Sequence, residues 1–203
     1  AEMSPIARAE RFAWFAFARN AGYIVGPLVA GFLLLKLDPV SIFSIIGLVS
    51  IIAIIPIFIL SEHGRIQSTS SPHLIKQATR SLWSGSRTSA VWVAGGIEST
   101  NYVALYAVRA FLPAQAMTLG MNIAIAGTFF AVQESFHAIL NPLGGRLGDR
   151  FGHGFTIGLG MFTIGAGLTT LTVMQTFWPF IGSAALLGIG QALIFPSSLA
   201  LVS

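Results

Sequence analysis

Cysteine is absent from this chain of 203 residues, which excludes disulfides and thiolate metal centres. Charge is nearly as scarce. Asp, Glu, Lys and Arg make up 9% of the residues, whereas a soluble globular domain carries about a quarter. There is no H-E-x-x-H pattern and no pair of neighbouring aspartates, so zinc-dependent and aspartyl hydrolysis have no candidate machinery. Ser197 and Ser198 have no histidine near them in sequence, and an intramembrane enzyme is a poor reading. No catalytic residue, metal site or cofactor is expected. The net charge of +4 comes from basic residues scattered between apolar segments, so no nucleic-acid partner is implied. The apolar stretch 12–35 is too long for the core of a secretory signal and lacks a cleavage pattern.

What is present is hydrophobic length. The composition is 54% hydrophobic, and about 20 apolar residues cross the ~30 Å hydrocarbon core of a bilayer. Six segments reach that length, at 12–35, 39–60, 90–112, 123–144, 155–174 and 179–203. Each is expected to be helical, because lipid offers the backbone no hydrogen-bond partner. The fold class is therefore an all-α membrane protein with six transmembrane helices. Eight basic residues (Arg8, Arg11, Arg65, Lys76, Arg80, Arg87, Arg146 and Arg150) fall on one side of these spans, against Lys36 and Arg109 on the other. The basic side is the cytoplasmic one. This makes a multi-pass protein of the cell membrane with both chain ends in the cytoplasm. Ala1 without an initiator methionine and Ser203 inside an apolar run read as cut ends. Phe177, Trp178 and Phe180 read as an interfacial aromatic anchor.

The stretch Leu143 to Gly154 reads as a glycine-rich loop at the membrane surface, with Gly145, Asp149, Arg150 and Gly152 at defined spacing. It resembles the loop signature of the major facilitator superfamily of secondary transporters, G-x-L-a-D-R-x-G-R-[RK], departing from it at His153-Gly154. A second motif lies in the first span. Gly22, Gly26, Pro27, Ala30 and Gly31 resemble the G-x-x-x-G-P-x-x-G-G motif of the fifth helix in antiporter members of that superfamily. Small residues four apart let helices approach closely, and because the fifth and eighth helices meet in that superfamily, the resemblance implies that Gly22, Gly26 and Ala30 face the span 123–144. The resemblance implies a piece of a twelve-helix transporter working by alternating access. Residues 1–60 would be the last two helices of the first half, 61–89 a cytoplasmic linker, and 90–203 the first four helices of the second half. The implied function is transport of a small solute, read as proton-coupled export. The partners are then that solute, protons, the bilayer and the missing helices of the same transporter. The loop aspartate of one half docks on a helix of the other in this family, so Asp149 would latch against the start of the first span. A non-transporting scaffold or receptor is the alternative.

Ionisable side chains at mid-membrane depth are costly and ask for a reason. Glu134 and His137 lie three apart, on one helical face, and together could pass a proton. Glu98 is the rival carrier, with a salt bridge to Arg19 as its structural alternative. Glu-x-x-His is also half of a di-iron motif, but the further glutamates are lacking. Arg109 is expected to snorkel to the headgroups from the end of its span. Arg19, Asn101, Tyr102, Tyr106 and Gln191 are the candidates for lining a solute cavity. His63 and His73 read as solvated loop residues.

Overall fold

The computed structural model describes residues 5–52, 55, 88–173 and 176–202. These residues form helices without any strand. In chain order the helices are α1 (Pro5–Leu33), α2 (Pro39–Ile52), α3 (Ser89–Thr118), α4 (Ala124–Phe151), α5 (His153–Val173) and α6 (Phe177–Val202). The expected linker, with His63 and His73, falls almost wholly outside the described residues.

Two of these helices, α5 and α6, are long and apolar enough to cross a membrane by length and composition. The expectation of six such spans is therefore met only in part. α2 has 14 described residues, fewer than a crossing needs. The other three carry polar groups along their length: Arg19 and Asn20 in α1, Glu98, Asn101 and Arg109 in α3, Glu134, His137 and Asn141 in α4. Those groups lower the apolarity of the helices that bear them.

From α3 to α6 the connections are short and successive helices run antiparallel. α3 turns into α4 at Gly120, whose φ of 72° is a conformation that glycine adopts without steric cost. The turn from α4 to α5 is tighter than the sequence suggests. Leu143 to Gly154 was expected as a loop, but α4 remains helical to Phe151 and α5 begins at His153. Only Gly152, at φ 94°, leaves the helix. Its N–H donates to Gly148 O at 2.9 Å, closing the end of α4, while its own carbonyl accepts from Thr156 N at 3.2 Å. The other glycines of the stretch do not bend the chain. They make α4 smooth. A methyl group on Gly144 would collide with the Ala192 carbonyl, and one on Gly148 with His153.

This is how α4 and α6 pack side by side in the same direction. Gln133 meets Gly188, Gly144 meets Ala192, and Gly148 meets Ser197. Gly160 and Gly167 do the same for the antiparallel pair α5 and α6, against Gly190 and Leu187. The core between α3 and α6 holds Leu112, Phe129, Ile164, Phe180, Leu187 and Ile194. Phe180 belongs to this core, 5.1 Å from the Phe129 ring, and not to an interfacial belt. Trp178 beside it is exposed.

α1 packs on α4, as expected, but through a different strip. A methyl group on Gly127 would collide with the Pro27 carbonyl, and Gly31 abuts Ala124 and Gly127. Gly22 and Gly26 have nothing within 4 Å of an added methyl. The contact lies about a quarter-turn round the helix, since one residue step rotates it by about 100°. The backbone around Pro27 and Gly31 approaches closest because α4 also offers a glycine there.

Candidate functional site

α1, α3, α4 and α6 enclose a cavity of about 300 Å³. α1 contributes Arg19, Asn20 and Tyr23, and α3 contributes Tyr102, Tyr106 and Arg109. α4 supplies Glu134, His137, Ala138 and Asn141, and α6 supplies Gln191 and Phe195. Helical spacing explains the set. Arg19 and Tyr23 are one turn apart, as are Tyr102 and Tyr106, while Glu134, His137 and Asn141 repeat at three and four residues along one face.

The wall is organised around Glu134. Arg109 donates from Nη2 to Glu134 Oε1 at 2.6 Å. His137 Nδ1 lies 3.4 Å from Glu134 Oε2. The Arg109 guanidinium also sits over the Tyr106 ring, 5.4 Å from its centroid, within the range of a cation–π contact. Arg109 therefore does not snorkel towards the headgroups. α3 continues past the expected end of its span to Thr118, which leaves Arg109 well inside the helix and able to reach across to α4.

Glu98 stands apart from the cavity. It makes no ion pair with Arg19 or with any other described residue. Ser198 Oγ on α6 donates to its Oε1, and its buried Oε2 has no partner among the described residues. Asn101, one turn along α3, is buried with Oδ1 unpartnered, and it does not line the cavity. Of the expected cavity residues, Arg19, Tyr102, Tyr106 and Gln191 converge on one space. Gln133 Nε2 donates to Gln191 Oε1 at 2.8 Å, fixing the Gln191 amide from α4.

Asn20, Tyr23, Asn141 and Phe195 were not foreseen as lining residues. The signal for all four was present in the helical period, one residue or one turn from residues already singled out. Two polar atoms of the wall are buried without a partner among the described residues, His137 Nε2 and Asn141 Oδ1.

At the far end of α4, Asp149 is exposed and its Oδ1 lies 3.8 Å from His153 Nε2. The Arg150 guanidinium lies over the Phe151 ring at 5.3 Å. The side chains of Arg8 and Arg11, the expected partners of Asp149, lie outside the described ones.

A family model described as Major Facilitator Superfamily matches residues 94–203. Neither a curated protein nor a solved structure matches the chain.

Proposed function

Because the chain belongs to the major facilitator superfamily, whose members carry small solutes across lipid bilayers, we propose that it forms the central part of a proton-coupled exporter. In this reading α1 to α6 are helices five to ten of a twelve-helix transporter in the cell membrane. Residues 1–60 end the first half, 61–89 link the halves in the cytoplasm, and 90–203 begin the second half. Both chain ends face the cytoplasm, as the distribution of Lys and Arg favours. The solute occupies the cavity between α1 on one side and α3, α4 and α6 on the other. The two halves rock about that site to alternate its access.

The observation that carries the proposal is the Arg109–Glu134–His137 cluster in the cavity wall. A carboxylate and an imidazole in contact can exchange a proton, and Arg109 holds the carboxylate when the proton leaves. The choice of export rests on the motif from Gly22 to Gly31. Asp149, exposed on the last turn of α4, acts as a latch at the cytoplasmic end when the inner side is shut.

The test uses the full-length transporter in vesicles with an imposed pH gradient. Glu134→Gln abolishes gradient-driven solute movement and leaves solute binding in place. Glu98→Gln is the comparison that could reverse the ranking. Uphill transport at the parent rate in both variants would remove proton coupling from either residue.

A further inference from the structure

The cavity wall has an uneven charge. Arg19 and Arg109 bring two positive groups and Glu134 one negative group. Arg109 and Glu134 satisfy each other at 2.6 Å. Arg19 has no ion-pair partner among the described residues. Among the described residues the wall is thus left with one uncompensated cation, and Arg19 is exposed, so an incoming solute can reach it. A cationic solute would meet this charge and would find Glu134, the only carboxylate among the described residues of the wall, already engaged by Arg109 and His137.

The shape of the remaining wall adds a second constraint. Tyr102 and Tyr106 stack along α3 with centroids 6.1 Å apart and planes 29° from parallel. Tyr23 on α1 and Phe195 on α6 complete an aromatic lining. Faces of this kind take a planar apolar body by stacking. A volume of about 300 Å³ stands at the small end of known ligand pockets.

We infer that the solute is a small organic anion. Its single negative charge pairs with Arg19, and its planar body lies among the tyrosines. The inference rests on the cavity being the solute site, as proposed above, but it concerns binding and not coupling.

The experiment measures binding to the purified full-length transporter by calorimetry, with no gradient present. The probes are 4-hydroxybenzoate, 4-hydroxybenzamide and 4-hydroxybenzylamine, which share one ring and hydroxyl and differ in charge. The acid is expected to bind at least about tenfold more tightly than the amide, a difference of about 1.4 kcal/mol, and the amine more weakly still. Arg19→Gln should erase the preference for the acid, and Arg19→Lys should keep most of it. Tyr102→Leu should weaken the acid and the amide alike, because both share the ring that stacks there. Tighter binding of the amine, or an acid preference unchanged in Arg19→Gln, overturns the anion assignment while leaving the cavity as the solute site. Failure of all three probes to bind overturns the assignment too. Proton coupling is untouched by any of these results, since Glu134→Gln reads it separately.

Discussion

Arg109 and Glu134 occupy the same depth on two antiparallel helices, and their side chains meet at 2.6 Å. Arg109 is nine residues before the end of α3 and Glu134 ten after the start of α4, which puts both about 14–15 Å from the turn between them. Neither end of the pair is fully in water. The Glu134 side chain is 10% exposed and that of Arg109 40%. Removing Arg109 therefore strands a largely buried carboxylate. Exposed pairs lose about 1 kcal/mol or less, and buried ones about 3–5 kcal/mol. Arg109→Ala is expected to fall between those limits in thermal unfolding of the purified transporter. Arg109→Ala combined with Glu134→Gln should be more stable than Arg109→Ala alone, because no unpaired charge is left behind. Equal melting points for the parent and Arg109→Ala would mean that the pair holds nothing together.

The contact between α4 and α6 depends on glycines at two heights. A methyl group on Gly144 meets the Ala192 carbonyl, and one on Gly188 meets the Gln133 carbonyl. Backbone cannot swing aside as a side chain can. Gly144→Ala and Gly188→Ala should each cost at least the ~1–3 kcal/mol of an overpacked core, seen as a lower melting point and a lower yield of folded protein. Gly145→Ala is the internal comparison. Its nearest neighbour would be the Pro196 side chain at 3.8 Å, an ordinary contact, so the variant should melt with the parent or slightly above it. Equal behaviour of all three variants would contradict the close crossing.

α5 and α6 were readable from apolar length, and the pairing of α1 with α4 from the family resemblance carried by the motif around Pro27. Three features were not. The run from Leu143 to Gly154 carries the composition of a turn, yet its glycines serve a helix crossing, and only Gly152 turns the chain. Composition cannot tell these uses apart, because both exploit the missing side chain. The four-residue repeat of Gly22, Gly26 and Ala30 marks one face of α1. The repeat Pro27 and Gly31 marks another, and only the partner helix decides between them. Finally, Arg109 and Glu134 are separated by 25 residues, a distance that no local pattern reports. Within the site, the face of Glu134 and His137 extended by one more turn leads to Asn141.

Asp38 caps α2 from the connection that follows α1. Its Oδ2 accepts from Ser41 N at 3.1 Å and its Oδ1 from Ser41 Oγ at 2.6 Å, with Pro39 at the first helical position, where its missing N–H costs nothing. The hydrogen bonds from the Ser41 side chain and then its backbone hold the Asp38 carboxyl below its ordinary value. A lowered value means that the cap is in full force above the ordinary carboxylate range and is lost as pH falls through the lowered one. Hydrogen exchange at the first-turn amides of α2 should therefore speed up at acid pH in the parent, beyond the intrinsic trend. Asp38→Ala should show fast exchange at neutral pH already, and Asp38→Asn should remain close to the parent, since asparagine also caps. Parent-like exchange in Asp38→Ala would show that the first turn holds without its cap.

The orientation of the bundle can be read from two positions at opposite ends of α4. Thr118 closes α3 beside the Gly120 turn and is exposed. Gly154 follows the Gly152 turn and has no heavy atom within 4 Å of an added methyl, so a cysteine there would not disturb the packing. Gly148 is unsuitable, because any side chain would strike His153. These 203 residues contain no cysteine, so they add no background labelling, and any cysteine elsewhere in the full-length protein is first replaced by serine. Arg146 and Arg150 sit on the last turns of α4, and basic residues are retained on the cytoplasmic side. α4 is 28 residues long, about 42 Å at 1.5 Å per residue, which is enough to carry those arginines beyond the ~30 Å hydrocarbon core. In intact cells making the full-length protein, a membrane-impermeant maleimide should label Thr118→Cys and spare Gly154→Cys. After permeabilisation, Gly154→Cys should label as well. The reverse pattern would invert the orientation, placing the Asp149 end of α4 outside and removing its role as a cytoplasmic latch. Labelling of both positions from the same side would mean that α4 does not cross the bilayer, and the solute pathway proposed between α1 and α4 would fall with it.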